Sequence, residues 1–156
     1  MKKKDGPGVY LPPPLLYVFI FLFSVLVQKQ FPLPIAFFTT NISFVSGVIF
    51  VIAGLCIVLP ALIKFLRTKN TLIPFLPANS LQTTGIYSIT RNPMYLGLLI
   101  LYIGIGFLKG NFYTMMLIPL VILVVNYLVI IKEEKYLIRA FGNDFLEYIK
   151  NVRRWI

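Results

Sequence analysis

Histidine is absent from this chain, and cysteine occurs once, at position 56. The first absence removes the commonest general base and metal ligand of neutral pH. The second excludes a disulfide framework and, with only five acidic residues, makes a metal site untenable. Cys56 sits within an apolar run and is expected to be an inert, buried thiol. Charge is scarce too. Only 13% of the residues are charged, against about 25% in an average soluble domain. There is no internal repeat. No small-residue cleavage site follows the first apolar run, which therefore reads as a retained anchor rather than a leader peptide.

Apolar residues fill the space that charge leaves. They make up 58% of the chain and gather in four uncharged runs, at 9–27, 41–63, 93–108 and 112–131. Each approaches the roughly 20 residues that cross a bilayer core, except the third, which suits a thin or locally deformed bilayer. The fold expected is an all-α integral membrane bundle, one membrane domain over 1–156. Its spans fall near 14–28, 41–63, 92–108 and 112–132, with C-terminal cytoplasmic helices capping it over 133–156. Basic residues flank the runs unevenly. Lys2, Lys3 and Lys4 precede the first, Lys64, Arg67, Lys69 and Arg91 separate the second from the third, and six follow the fourth. The remaining two loops hold only Lys29 and Lys109. The positive-inside rule then places both termini and the central loop in the cytoplasm. The net charge of +10 is thus mainly a topology signal. It attracts anionic membrane lipids, and with no nucleic-acid-binding motif beside it, a nucleic-acid partner is not expected.

Punctuation along the chain refines this outline. The stretch before residue 9 reads as a short mobile tail. Pro12-Pro13-Pro14 delays the first helix. Gly47 and Gly54, seven apart, give the second span a small-residue face for close packing, and Pro60 is expected to kink or end that span near Leu59. Residues 64–90 form a long connection rich in turn formers, while Leu72, Ile73, Phe75 and Leu76 argue that it lies against the membrane face. Lys109-Gly110-Asn111 makes a tight turn. Gly142 is a helix stop, and Asp144 is placed to cap a last helix whose apolar face is Phe145, Tyr148, Ile149 and Val152.

The chemistry gathers at 85–97, where a polar loop meets an apolar helix. Asn92 is expected to cap that helix and Pro93 fits its first turn. Arg91 then lies beside a helix N-terminus, a combination suited to a carboxylate or phosphate. One hairpin later comes Glu133-Glu134. Neighbours on a helix point about 100° apart, so only one of the two is expected to face a given pocket squarely. Tyr87, Tyr95 and Tyr136 fall at the same level, as belt residues or as aromatic walls near a cation.

Thr84-Gly85-Ile86-Tyr87, Arg91-Asn92-Pro93-Met94-Tyr95-Leu96-Gly97, Glu133-Glu134, Phe141-Gly142 and Tyr148, in that order and spacing, resemble the frame of the isoprenylcysteine carboxyl methyltransferase family. Phospholipid N-methyltransferases share much of that frame. The resemblance covers about 83–156. It implies an integral membrane methyltransferase that uses S-adenosylmethionine in a cytoplasm-facing pocket, with a lipophilic or lipid acceptor entering from the bilayer. It also implies roles. Arg91 and the Asn92-Pro93 turn hold the amino-acid end of the cofactor, and Gly85, Tyr87, Tyr95 and Gly97 shape its pocket. Glu133 or Glu134 binds its amine or ribose, and Arg91 and Glu134 act in the chemistry. Many relatives carry histidine where this chain has Asn92, which hydrogen-bonds but does not titrate. Methyl transfer tolerates that change. A carboxylate nucleophile needs no base, only in-line placement and exclusion of water. An amine must first lose a proton, to a glutamate or a lipid phosphate. The expected acceptor is a prenylcysteine-type carboxylate. The alternatives are a phospholipid amine, a nicotinamide-dependent reductase of similar architecture, and a non-enzymatic membrane protein. The last is disfavoured because no run carries an ionisable residue at mid-membrane.

Overall fold

The computed structural model describes residues 6–9, 11–68 and 78–156. The hydrophobic cluster at 72–76 and the first residues of the N-terminal tail lie outside the described residues. The elements described are helical, with no strand among them. Helix α1 (Pro13–Gln30) leads through a short 3-10 turn at Ala36–Thr39 to α2 (Asn41–Arg67). A second 3-10 turn at Gly85–Ser88 precedes α3 (Pro93–Leu108). The return path is broken into α4 (Phe112–Met116), α5 (Ile118–Val125), a π turn at Asn126–Ile130 and α6 (Ile131–Phe141). Helix α7 (Asn143–Asn151) closes the order. Two helices, α1 and α2, are long and apolar enough to cross a membrane, and α3 is a shorter apolar helix.

Helix α3 is the hub. It packs along α2 on one side and against α1, α4 and α5 on the other. The α2–α3 seam is built from absent side chains. A Cβ on Gly97 would stand 2.4 Å from a Val58 methyl and 3.0 Å from the Gly54 carbonyl oxygen, and a Cβ on Gly104 would stand 3.0 Å from the Gly47 carbonyl. Gly47 and Gly54 therefore meet Gly104 and Gly97, each pair seven residues apart, so the backbones touch directly. Tight backbone approach replaces the hydrophobic drive that lipid does not supply. Ala61, seven residues beyond Gly54, is also fully buried.

Tyr17, Tyr95, Leu99, Tyr102, Val121 and Val125 form the core on the other flank of α3. The Tyr17 hydroxyl donates to the Tyr95 carbonyl at 2.8 Å. At the end of the bundle remote from Arg91, buried Ser24 bonds Thr114 at 2.8 Å and accepts from Asn111 at 3.2 Å. These three polar groups among apolar helices are thus paired with one another, as an apolar surround demands, whereas the buried hydroxyls of Ser43 and Tyr102 have no hydrogen-bond partner.

Four expectations are corrected. Pro60 does not end α2, which continues to Arg67 with the proline inside it. A membrane-type helix accommodates such a proline where neighbours or local adjustment relieve the lost bond. Cys56 is exposed, because the inward face of α2 is the Gly47–Gly54–Ala61 row. Asp144 does not cap α7. Gly142 takes the cap position at φ 55°, and Asp144 sits in the first turn. Gly142 does end α6, as expected. Asn92 takes the cap position of α3 but makes no side-chain cap bond; its amide is used elsewhere. The apolar face of α7 packs on Leu81, Leu137 and Phe141.

Candidate functional site

A cavity of about 390 Å³ opens where α1 begins, α2 ends, α3 begins and α6 passes. Pro13, Pro14, Val58 and Leu62 make an apolar flank; Tyr87, Tyr95 and Tyr136 add aromatic walls. Arg91, Asn92, Pro93, Glu133 and Glu134 line the same space. Of the residues the sequence singled out, Gly85 and Gly97 are not on the lining. Gly85 starts the 3-10 turn at φ 68°, and Gly97 belongs to the helix seam.

Arg91 precedes the helix break at Asn92-Pro93, which swings its side chain inward. Only 11% of that side chain is exposed, and one terminal nitrogen, Nη2, lies 3.3 Å from Glu134 Oε1. Nε and Nη1 are buried and have no hydrogen-bond partner. Burial lowers the Arg91 pKa, Glu134 raises it again, and Arg154 lowers it. The guanidinium stays charged at neutral pH. Two buried guanidinium nitrogens without an acceptor are costly.

Glu134 is held elsewhere. Arg154 Nε donates to its Oε1 at 3.0 Å and Arg154 Nη2 to its Oε2 at 2.6 Å. Glu133 differs from its neighbour. Its Oε1 accepts from the Tyr95 hydroxyl at 2.7 Å. Both carboxylates thus line the cavity but point apart, one turned to the arginines and one to Tyr95 of α3. Burial pushes the Glu133 carboxyl up to about 7; the Tyr95 hydrogen bond acts the other way, and the Glu134 charge adds to the rise.

That shift has a measurable sign. Between 4.5 and about 7, folded Glu133 keeps a proton that the unfolded chain gives up. The stability it supports is complete below 4.5 and is lost as pH rises through 7. In detergent the melting temperature is expected to fall across that window, and Glu133→Gln to flatten the fall. A parental slope in Glu133→Gln assigns the effect to another group.

Tyr87 is buried, with an unpartnered hydroxyl. Burial pushes that hydroxyl's pKa upward, with Tyr148 and Glu133 adding to it. Its carbonyl accepts from the Tyr148 hydroxyl at 2.5 Å, and the Lys64 ammonium sits 5.8 Å from its ring centroid. The Tyr136 hydroxyl accepts from Ala78 N–H at 2.9 Å, drawing the described end of the long connection over the cavity.

Sequence reasoning missed Arg154, Asn126 and Thr90. Arg154 counted there only as one more basic residue of the topology signal. Asn126, a lone amide in an apolar run, was the one available hint.

The profile of the phospholipid methyltransferase family matches residues 42–144. Over 72 residues, 46% of this chain, the sequence is 39% identical to a Protein-S-isoprenylcysteine O-methyltransferase of Schizosaccharomyces pombe. That match spans 30% of the fission-yeast protein. Over 63 residues, 40% of this chain, it is 36% identical to a Haemophilus influenzae protein, named Uncharacterized protein, whose full length is covered. No solved structure matches. With two thirds of its length inside the family profile, this chain belongs to the phospholipid methyltransferase family.

Proposed function

We propose that the cavity transfers a methyl group from S-adenosylmethionine to a lipophilic acceptor, first among acceptors a prenylcysteine-type carboxylate. The observation that carries this reading is the Arg91 guanidinium, a nearly buried cation on the lining whose Nε and Nη1 have no hydrogen-bond partner, in a cavity that also holds a carboxylate and aromatic walls. The residues fit the cofactor's groups. Arg91 suits its carboxylate. Glu133 suits its ammonium better than Glu134 does, because two arginines already engage Glu134. Tyr87, Tyr95 and Tyr136 suit a sulfonium. When bound, S-adenosylmethionine supplies an electrophilic methyl whose bond to sulfur breaks as the acceptor's lone pair forms the new one. The chain orients that pair of reactants and excludes water. The apolar flank from α1 and α2 suits a lipid tail.

A second reading, a phospholipid amine as acceptor, draws on Glu133. A buried carboxylate with an ionisation near neutrality is matched to taking a proton from an ammonium before attack. In topology, the reading is one membrane domain of four spans with both termini and the cavity in the cytoplasm.

Label transfer from methyl-labelled cofactor to a lipid extract tests all of this. Release of the label by base as volatile methanol marks a carboxylate acceptor, and label that stays non-volatile after base marks an amine. No transfer, together with binding of a nicotinamide cofactor, favours the reductase. Reporter fusions after Ile156 and within 109–111 are expected on opposite sides of the membrane; the same side for both refutes the topology.

A further inference from the structure

Glu134 has two arginine neighbours and treats them unequally. Arg154 grips it with a two-point fork at 3.0 and 2.6 Å, whereas Arg91 approaches with Nη2 alone at 3.3 Å. A carboxylate beside an arginine in a partly dry cavity ordinarily forms a fork with it. That fork would occupy the donors that Arg91 keeps free. The third donor of Arg154, Nη1, bonds Asn126 Oδ1 at 3.0 Å in the π turn, an element often found at functional sites. The backbone at 153–154 is fastened independently. The Arg154 carbonyl accepts from Asn92 Nδ2 at 2.9 Å and from Thr90 Oγ1 at 3.2 Å, and the Arg153 carbonyl accepts from Arg91 N–H at 3.0 Å.

We infer that Arg154 is a positioning residue: braced on Asn126, it limits Glu134 to a one-point ion pair with Arg91 and thereby keeps the rest of the Arg91 guanidinium unpaired for an anionic ligand group. Without the Arg154 side chain, Glu134 closes a two-point fork on Arg91 and occupies its remaining donors. The backbone fastenings of 153–154 survive that substitution, so the tail stays in place.

The test has a ligand-free arm and a ligand arm. In the first, the stability coupling between Arg91→Ala and Glu134→Gln is measured by melting in detergent, once in the parent and once in Arg154→Ala. The coupling is expected to be small in the parent and to grow in Arg154→Ala; equal coupling in both overturns the inference. In the second arm, which rests on the proposed cofactor, S-adenosylhomocysteine binding is measured. Arg154→Ala and Arg154→Lys are each expected to weaken it by about tenfold, since lysine lacks the planar fork. Adding Glu134→Gln to Arg154→Ala is expected to restore most of the loss, because the competitor for Arg91 is then uncharged. A merely structural role for Arg154 predicts no such restoration, and failure to restore overturns the inference. If the parent binds no S-adenosylhomocysteine while the coupling still grows, the proposed cofactor falls and the positioning role stands.

Discussion

Arg91→Ala is expected to weaken binding of S-adenosylhomocysteine, the product form of the proposed cofactor, by about ten- to a hundredfold, the equivalent of roughly 1.5–3 kcal/mol for a lost charge-assisted contact. The size follows from the state of the side chain. Arg91 is nearly buried, yet Nε and Nη1 have no partner and Nη2 has only a long contact to Glu134. Little stabilising interaction is therefore lost from the protein without ligand, and the melting temperature is expected to change modestly. With the proposed cofactor bound, the Arg91 guanidinium is expected to be the chief positive contact in the cavity. The deficit is expected as a raised KM for the cofactor, with less effect at saturation. Arg91→Lys is expected to recover part of the affinity, since an ammonium keeps the charge without the fork. Parental binding by a folded Arg91→Ala protein places the anionic group of the ligand elsewhere.

Gly97→Val is expected to prevent the bundle from assembling, a loss above about 3 kcal/mol for overpacking against backbone. The first added carbon already meets a Val58 methyl at 2.4 Å, the Gly54 carbonyl oxygen at 3.0 Å and the Val58 nitrogen at 3.0 Å. A side chain rotates away from such a contact. A peptide group in a packed helix does not, so α2 and α3 must separate along their length. Gly97→Ala, with a single carbon, is expected to lower the melting temperature clearly. Ile52→Val on the exposed face of α2 is the control, with a change within about 0.5 kcal/mol. A Gly97→Ala protein that melts with the parent shows that the seam yields where the structure has it closed.

What was legible in the sequence was local. The start of α3 at Pro93, the turn at 109–111 and the stop at Gly142 each follow from the conformational demands of one or two residues, and the seam was foreshadowed by the spacing of Gly47 and Gly54. The tyrosines at 87, 95 and 136 and both glutamates do meet on one cavity. What was not legible was either long-range or a matter of facing. Asn92 looks like a cap because asparagine commonly is one, but its amide is bound to a carbonyl 62 positions away. Arg154 gave no local sign of its fork on Glu134, which depends on how α7 folds back. Cys56 was misplaced because it was assigned by the usual burial of cysteine and not by its position off the Gly47–Gly54 face. Of the two outcomes expected at Pro60, a kink or an end, the end does not occur, since α2 runs on to Arg67.

The seam between α2 and α3 also divides α2 in what it can tolerate over evolutionary time. On its outward side Leu, Ile, Val and Phe are largely exposed and are interchangeable. On its inward side volume is fixed at every seventh position by a neighbouring peptide. Drift along this helix is therefore one-sided, and two descendants of this chain can diverge widely over 41–67 while still closing the same cavity at its end.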